Sequence, residues 1–208
     1  MPEPPHALTI EDVTSRSATI SWKSSFSGNS AVNRYIIQYK DENCTKITNQ
    51  QDNDDGKWKE SFERETKHVL RMLIPTCKYQ LRILAENSIG KSVPSSIITF
   101  KTGEEVPGGP PIDIVIEPTS STSMKIRWKP PKKEVQFGRI KGYYIGYKIS
   151  ESDDPFQYKN VEAVNIDDND KYEMSYVTNL KRKTNYIIIL QAYNSIGAGP
   201  RSDEVSNL

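Results

Sequence analysis

The scarcity of histidine and cysteine limits the metal-binding and catalytic chemistry open to this sequence. The 208 residues include only two histidines, His6 and His68, and two cysteines, Cys44 and Cys77. Neither histidine lies at a metal-ligand spacing from a cysteine. A serine or cysteine nucleophile would need one of the two histidines as its base, yet His6 lies in a proline-rich lead and His68 in a strand-like run. We interpret both histidines as structural or solvent-facing side chains.

The short motifs that bind phosphates or build catalytic centres are absent from the sequence. It contains no G-x-x-x-x-G-K-[ST], no G-x-S-x-G and no H-E-x-x-H. The glycine-rich stretch 106–111 reads Val-Pro-Gly-Gly-Pro-Pro, and its prolines lack the backbone N–H groups that bind phosphate oxygens. The sequence therefore predicts a protein that is not an enzyme and that has no catalytic, cofactor or metal site.

Composition excludes further classes of function. The chain has 28 Lys and Arg against 27 Asp and Glu, which gives a formal net charge of +1. This balance offers no electrostatic reason to expect nucleic acid or an anionic membrane as the partner. Hydrophobic residues make up 35% of the chain, and no apolar run approaches the roughly 20 residues of a membrane-spanning helix.

The sequence repeats itself, which is its strongest organisational signal. Blocks 18–23, 35–40 and 85–90 recur at 124–129, 143–148 and 192–197, with offsets of 106, 108 and 107 residues. Blocks in the same order with a nearly constant offset indicate two copies of one domain. We predict domains at 1–103 and 104–208.

Each copy has the pattern of a β protein. Ala18, Ile20 and Trp22 alternate with polar residues, and this period of two places one row in a core and the other in water. Short strands without a helical period predict two tandem seven-stranded antiparallel β-sandwiches, an all-β, immunoglobulin-like architecture. A leucine six residues before a tyrosine occurs in both copies, and this spacing predicts a tyrosine corner, in which the hydroxyl bonds to backbone upstream.

These residues together resemble the fibronectin type III family. The resemblance rests on strand tryptophans, tyrosine-rich strands, Leu–Tyr corners and Asn-Ser-Ile-Gly turns: Trp22, Tyr35, Ile37, Tyr39, Leu73, Tyr79 and 87–90 in the first copy, and Trp128, Tyr143, Ile145, Tyr147, Leu180, Tyr186 and 194–197 in the second. Longer phrases at 27–40, 107–111, 128–131, 140–147 and 192–200 look like the first two fibronectin type III domains of the Down syndrome cell adhesion molecule (Dscam) family. The long acidic loop 41–56, and Cys77 at the position of Thr184, depart from a minimal domain.

The resemblance implies a non-catalytic stalk or interaction segment of a homophilic cell adhesion receptor, of the kind used in neuronal self-avoidance. Such a segment lies on the extracellular side of the plasma membrane, sets the spacing of domains and adds cis self-association. Its partners would be the same receptor, in cis or in trans, or another cell-surface protein, and not nucleic acid. The segment carries no anchor of its own, and we expect its parent to be a single-pass membrane protein.

Other functions of paired domains of this kind stay open. The alternative is the ligand-binding ectodomain of another receptor, of the cytokine-receptor or receptor-phosphatase type. A cytokine receptor would be expected to carry W-S-x-W-S in its second domain, and an integrin-binding matrix protein Arg-Gly-Asp; neither motif occurs. An intracellular muscle-type array is disfavoured by the cysteine pair and the glycosylation sequon. An accessory domain of a secreted enzyme is a further alternative.

The resemblance also implies two covalent features. In this fold the third strand ends beside the start of the sixth, so Cys44 and Cys77 are predicted to form a disulfide; two buried thiols are the alternative. Asn43 begins the only N-x-[ST] sequon and lies in a polar loop, which predicts a glycosylation site.

A surface for a partner is predicted on the sixth strand of the second domain. Alternation aims Ile187, Ile189 and Tyr193 away from the core, and the third strand adds Tyr144 to the same face. An exposed apolar patch of a few hundred Å2 marks many contact sites. We therefore predict that these four residues form an interface. The alternatives are that loops or lysine stems cover the patch, or that the β-branched run serves only strand propensity.

Overall fold

A computed structural model describes residues 1–42, 44, 57–164 and 170–206. The chain divides into two compact units, Met1–Gly103 and Glu104–Leu208. The described residues form β-strands and one turn of 3-10 helix at Lys133–Val135, and they contain no α-helix. No helix in this part of the chain is long and apolar enough to cross a membrane. The predicted all-β class of tandem sandwiches is confirmed.

The first unit packs a three-stranded sheet against a larger one. The small sheet has the order β1-β2-β5, while the large one has the order β4-β3-β6, with β7 and β8 both paired to β6. All pairings are antiparallel. The strands are β1 (His6–Val13), β2 (Ala18–Lys23), β3 (Val32–Asp41), β4 (Lys59–Glu63), β5 (Lys67–Leu70), β6 (Lys78–Asn87), β7 (Gly90–Lys91) and β8 (Ile98–Lys101).

The second unit repeats this topology. Its small sheet has the order β13-β10-β9, and its large sheet has the order β12-β11-β14, with β15 and β16 both paired to β14. The strands are β9 (Ile112–Ser120), β10 (Ser123–Lys129), β11 (Gly142–Ile149), β12 (Gln157–Glu162), β13 (Glu173–Val177), β14 (Tyr186–Tyr193), β15 (Ala198–Arg201) and β16 (Val205–Ser206).

The last strand of each sandwich is split in two, so each unit has eight strand segments where the sequence predicted seven. In the first unit, Ala85 N donates to the Ser92 hydroxyl (3.0 Å) and Ile83 N donates to the Ser95 hydroxyl (2.9 Å). Leu190 N donates in the same way to the hydroxyl of Ser202 (2.9 Å) in the second unit. Serine side chains thus replace backbone carbonyls as acceptors, which satisfies the buried donors where regular pairing is interrupted.

Each core is built around a tryptophan and a tyrosine. The Trp22 and Tyr35 rings meet edge to face with centroids 5.3 Å apart, and those of Trp128 and Tyr143 do so at 5.2 Å. Aromatic pairs favour this geometry because the positive ring edge meets the negative ring face. Burial, followed by the nearby charge of Glu173, strongly raises the pKa of the Tyr143 hydroxyl.

The tyrosine corners are confirmed in both units. The Tyr79 hydroxyl accepts a hydrogen bond from Ile74 N at 2.9 Å, and the Tyr186 hydroxyl accepts one from Lys181 N at 2.9 Å. The corners also share left-handed backbone, since Met72 and Asn179, 107 positions apart, have φ of 58° and 62°. The repeated sequence therefore specifies the same local conformation twice.

Candidate interaction surfaces

The predicted interface residues lie together on the outer face of the large sheet in the second unit. Ile187 and Ile189 alternate along β14 with Ile188 and Leu190, which are fully buried in the core. On the same outer face, the rings of Tyr144 and Tyr193 stack with centroids 4.8 Å apart. The structure thus brings all four residues to one face.

The sequence predicted that all four side chains are exposed, and this prediction was wrong for Ile189. That side chain is only 4% exposed, and Tyr144, Ile187 and Tyr193 are half-buried. The cause is Gly146, which lies opposite Ile189 in the ladder. A Cβ on Gly146 would lie 2.7 Å from Ile189 Cγ1 and 2.9 Å from Tyr158 Cε1. Ile189 and Tyr158 therefore close over the glycine, and Ile189 is covered.

Sequence reasoning missed Tyr158, which is 47% exposed and completes this surface. Its strand β12 reads Gln-Tyr-Lys-Asn-Val-Glu and has no apolar row that would mark a contact face. The signal that was available is Gly146, because a glycine inside a strand often marks a close approach of other groups. We name Tyr144, Tyr158, Ile187, Ile189 and Tyr193 the tyrosine face.

Cations flank the tyrosine face by lying over aromatic rings. The Arg201 guanidinium is 5.8 Å from the centre of the Tyr158 ring, and Lys148 Nζ is 5.1 Å from the centre of the Phe156 ring. Cation–π contacts of this length are attractive. The five residues of the tyrosine face are themselves uncharged, while Arg201 lies over its Tyr158 ring and Lys148 lies opposite its Ile187 in the ladder.

The equivalent face of the first unit carries hydrogen-bonded charges. Gln38 Nε2 donates to Glu60 Oε1 at 2.8 Å, and Arg82 Nε donates to Gln38 Oε1 at 2.7 Å. The Arg82 guanidinium also lies 4.2 Å from the centre of the Trp58 ring. We name this set, together with the ion-paired Arg34 and Glu86, the paired face: Arg34, Gln38, Trp58, Glu60, Arg82 and Glu86.

The two cysteines form a disulfide that joins the end of β3 to the start of β6. The Cys44 and Cys77 sulfurs are 2.04 Å apart, and the Cα atoms are separated by 5.9 Å. Cys44 N donates to Asp41 Oδ2 (2.8 Å), and Cys77 N donates to the Thr102 hydroxyl (2.8 Å). The predicted glycosylation site at Asn43 lies outside the described residues.

This cysteine pair also accounts for the one set of clustered metal-ligand side chains in the described part of the chain. Asp41, Cys44 and Cys77 have ligand atoms within 4.8 Å of one another. Because both sulfurs are shared in a disulfide, neither is a thiolate available to a metal ion.

The histidines form local hydrogen bonds. His6 Nδ1 lies 2.9 Å from the Ser25 hydroxyl. His68 Nε2 lies 2.9 Å from the Ser61 hydroxyl, and its Nδ1 lies 3.2 Å from Glu63 Oε2. Ser61, His68 and Glu63 have the contacts of a catalytic triad, but Ser61 lies within β4, where it pairs with Ile37 of β3, and not on the exposed strand-to-helix turn that carries the serine nucleophile of α/β-hydrolases. This group instead ties β4 in one sheet to β5 in the other.

Comparison with protein families gives two matches along the chain. The model of the fibronectin type III domain matches residues 3–101 and again residues 109–207. The structure is similar to chicken CNTN1 FN1-FN3 domains, with a TM-score of 0.65 and 21% identity, over 99% of this chain and 66% of that one. That similarity concerns the fold.

Several cell adhesion molecules are similar in sequence over nearly the whole chain. Cell adhesion molecule Dscam1 of Drosophila melanogaster is 35% identical over 209 residues, which is 98% of this chain. Cell adhesion molecule DSCAML1 of Mus musculus is 35% identical over 99% of the chain, and cell adhesion molecule DSCAM of Rattus norvegicus is 36% identical over 98%. In each case the chain spans about 10% of the length of the relative.

Proposed function

Because the chain belongs to the fibronectin type III family, we propose that it is a non-catalytic, extracellular segment of a cell-surface adhesion receptor. The sequence similarity to cell adhesion molecules supports this assignment. The Cys44–Cys77 disulfide supports the extracellular location, because such bonds form and persist in oxidising compartments. The parent receptor is proposed to be a single-pass membrane protein.

Within the receptor, one role of the segment is to set the spacing of neighbouring domains. Pro107, Pro110 and Pro111 restrict the backbone where the second unit begins. That stretch is also held by its own unit, since Glu105 N donates to Phe137 O (2.9 Å) and Gly108 N donates to Val135 O (2.7 Å). A linker whose backbone is restricted and hydrogen-bonded keeps a more constant length than a flexible glycine–serine linker, and this property suits a spacer.

The second role is homophilic self-association through the tyrosine face, and the contrast between the two outer faces is the observation that carries it. When a surface binds a copy of itself, charges near its centre meet like charges, which costs several kcal/mol. The five side chains of the tyrosine face carry no charge, the contact from Arg201 to the Tyr158 ring being its one described cation–π contact, and tyrosine is enriched at the centres of protein interfaces. On the paired face, hydrogen bonds within the face already satisfy the charged groups. A second copy of the second unit therefore suits the tyrosine face.

The test is the mass of the chain in solution as a function of concentration, measured by sedimentation equilibrium. We expect the unsubstituted 208-residue chain, called the parent chain below, to dimerise reversibly. The double substitution Tyr144→Lys and Ile187→Lys should abolish it without unfolding the protein, because both side chains are half-buried on the outer face. Ile189 is left unchanged because it is covered.

The matched control is Gln80→Lys in the first unit, which occupies the strand position equivalent to Ile187. This variant should dimerise like the parent. If the parent chain stays monomeric at every concentration, or if the control weakens association as much as the double variant does, self-association through the tyrosine face is wrong and the spacer role remains.

A further inference from the structure

A cavity of about 220 Å3 lies at one end of the second unit. It is half open to solvent and is lined by the turn between β9 and β10 and by the corner that leads into β14. Its volume exceeds the roughly 30 Å3 that one water molecule occupies in the liquid. The residues that line it are Pro118, Ser120, Ser121, Ser123, Met124, Leu180, Lys181, Lys183, Thr184, Asn185 and Tyr186. These described lining residues include two lysines and several hydroxyls but no carboxylate.

One wall of this cavity is a cluster of hydroxyl groups. The Ser120 and Ser123 hydroxyls are 2.6 Å apart, and the Thr119 and Ser123 hydroxyls are 2.8 Å apart. Thr122 N donates to the Ser120 hydroxyl at 3.2 Å, which holds the turn. A hydroxyl can rotate to donate or to accept, so this wall can present O–H groups to an oxyanion.

The corner that leads into β14 supplies positive charge to the lining. Lys181 and Lys183 are both exposed, and in the part of the chain that the structure describes neither forms an ion pair. Elsewhere in the same unit, cations are paired on the surface: Arg127 with Glu117 at 2.6 Å, and Lys129 with Asp113 at 3.1 Å. The bond from Lys181 N to the Tyr186 hydroxyl fixes the backbone path on which these two lysines are presented.

We propose that this cavity binds a sulfate group of a sulfated glycan. Two lysines and several rotatable hydroxyls that line one cavity match the charge and the acceptor oxygens of a tetrahedral oxyanion. The choice of a glycan as its source rests on the proposed extracellular location.

An acidic loop near the cavity limits the number of negatively charged groups that can bind there. Ser150 N donates to Asn185 O at 3.0 Å, which joins the acidic loop that follows, with Glu151, Asp153 and Asp154, to a residue of the cavity lining. These carboxylates repel further negative charge. The site therefore suits one sulfate group and not a long run of them, and its affinity should fall as salt rises.

The first unit provides an internal control for the geometry. Its turn and corner meet in the same way, since Leu73 N donates to Arg16 O and Leu180 N donates to Thr122 O, both at 3.0 Å. Its corner, however, reads Ile-Pro-Thr at 74–76 where the second unit has Lys-Arg-Lys. The shared backbone follows from the fold, while the lysines are specific to the second unit.

The experiment measures binding of a heparin-derived tetrasaccharide to the full chain by calorimetry at about 0.15 M salt. We expect the paired substitutions Lys181→Gln and Lys183→Gln to weaken binding by about tenfold or more. Ser123→Ala, which changes no charge, should weaken it by a smaller factor. The control pair Lys132→Gln and Lys133→Gln removes two exposed charges outside the cavity and should leave binding unchanged.

Three outcomes would overturn this proposal. The first is no binding by the parent chain, and the second is an equal loss in both lysine pairs or no effect of Ser123→Ala, which would indicate diffuse charge attraction. In the third, vesicles of phosphatidylserine and phosphatidylcholine bind with the same dependence on Lys181 and Lys183, which would assign the site to a membrane surface. Self-association is measured separately by mass, so failure of either proposal can be told from failure of the other.

Discussion

The outer faces of the two large sheets place different chemistry at the same ladder positions. In the first unit, Gln38 lies between Arg82 of β6 and Glu60 of β4 and bonds to both. In the second unit, the central position is Gly146, and its neighbours Ile189 and Tyr158 cover it.

A second position shows the same contrast. Arg34 lies opposite Glu86 in the first unit, where the two form an ion pair. The second unit has Gly142 opposite Tyr193, and a Cβ on Gly142 would lie 2.4 Å from the Tyr193 hydroxyl. The same fold therefore covers the outer side of β3 with hydrogen-bonded polar side chains. On β11, two glycines leave room for large side chains of the neighbouring strands to cover the backbone. The first arrangement gives a polar face and the second gives an aromatic one.

The largest effect we expect is on the cross-link that only the first unit has. Replacing both Cys44 and Cys77 by Ser opens a loop with a sequence separation of 33 residues. Chain entropy predicts a loss of about 3–4 kcal/mol in the free energy of unfolding. Hydrogen exchange, resolved by peptides, should show faster exchange in the first unit and unchanged exchange in the second.

The control for this prediction is Thr184→Ser, at the position that corresponds to Cys77. It should leave both units unchanged. Equal destabilisation of the two units by the cysteine substitutions would contradict the view that the disulfide acts within its own unit.

A smaller effect should follow from giving the second unit the residue that the first unit uses. Gly146→Gln introduces a side chain into space filled by Ile189 and Tyr158. Overpacking of this kind costs about 1–3 kcal/mol, so chemical denaturation should show a lower stability for the second unit. The Tyr158 ring should also become more mobile in NMR spectra.

The reverse substitution sharpens the comparison. Gln38→Gly in the first unit removes the group that bonds to both Arg82 and Glu60. We expect destabilisation without any gain of an aromatic surface, because β4 and β6 supply no equivalents of Tyr158 and Ile189 there. An unchanged stability in both Gly146→Gln and Gln38→Gly would show that these central positions do not decide how each face is built.

The corners before β6 and β14 allow a third, still smaller test. Met72 has φ of 58° and a side chain that is 93% exposed, so it gains little packing from a backbone conformation that asparagine tolerates better. Met72→Asn copies the equivalent Asn179 and should stabilise the first unit by about 0.5–1 kcal/mol. The melting temperature measures this, and Asn179→Met should have the opposite sign.

The smallest effect concerns acid sensitivity of the paired face. The hydrogen bond from Arg34 lowers the pKa of the Glu86 carboxyl. Because the folded pKa lies below the unfolded one, the contribution of Glu86 is present above the unfolded pKa and is lost as the pH falls through the folded pKa. Glu86→Gln should therefore make the first unit less sensitive to pH below about 4.3.

Urea denaturation at pH 7 and at pH 3 measures this difference. Since Glu86 is solvent-accessible, salt should reduce the effect. Tyr193→Phe in the second unit, at the position equivalent to Glu86, is the control and should leave the acid response unchanged. A parent chain and a Glu86→Gln variant with the same acid response would contradict a role for this ion pair.

Local sequence alone determined much of the architecture. A period of two along β2 and β10 predicted the core rows that contain Trp22 and Trp128, because side chains on a strand alternate between faces. Constant offsets between blocks predicted two copies of one domain. The Leu–Tyr spacing predicted both corners, since the hydroxyl reaches backbone only five residues upstream. The strand alternation and the corner spacing depend on near neighbours in the chain, and the repeat is visible because both copies keep the same local patterns.

Tertiary structure decided which outward residues are covered. The sequence gives Ile187 and Ile189 the same alternation, yet Ile187 is half-buried and Ile189 is buried. The difference comes from Gly146 and Tyr158, which lie on β11 and β12 and reach Ile189 only after the strands pair. Likewise, the hydroxyls near Ser120 and the lysines near Lys183 share a cavity only because the fold brings a turn and a corner together. The exposure of an outward-facing side chain depends on its neighbours on the adjacent strands. The residue order along one strand does not specify which residues those neighbours are.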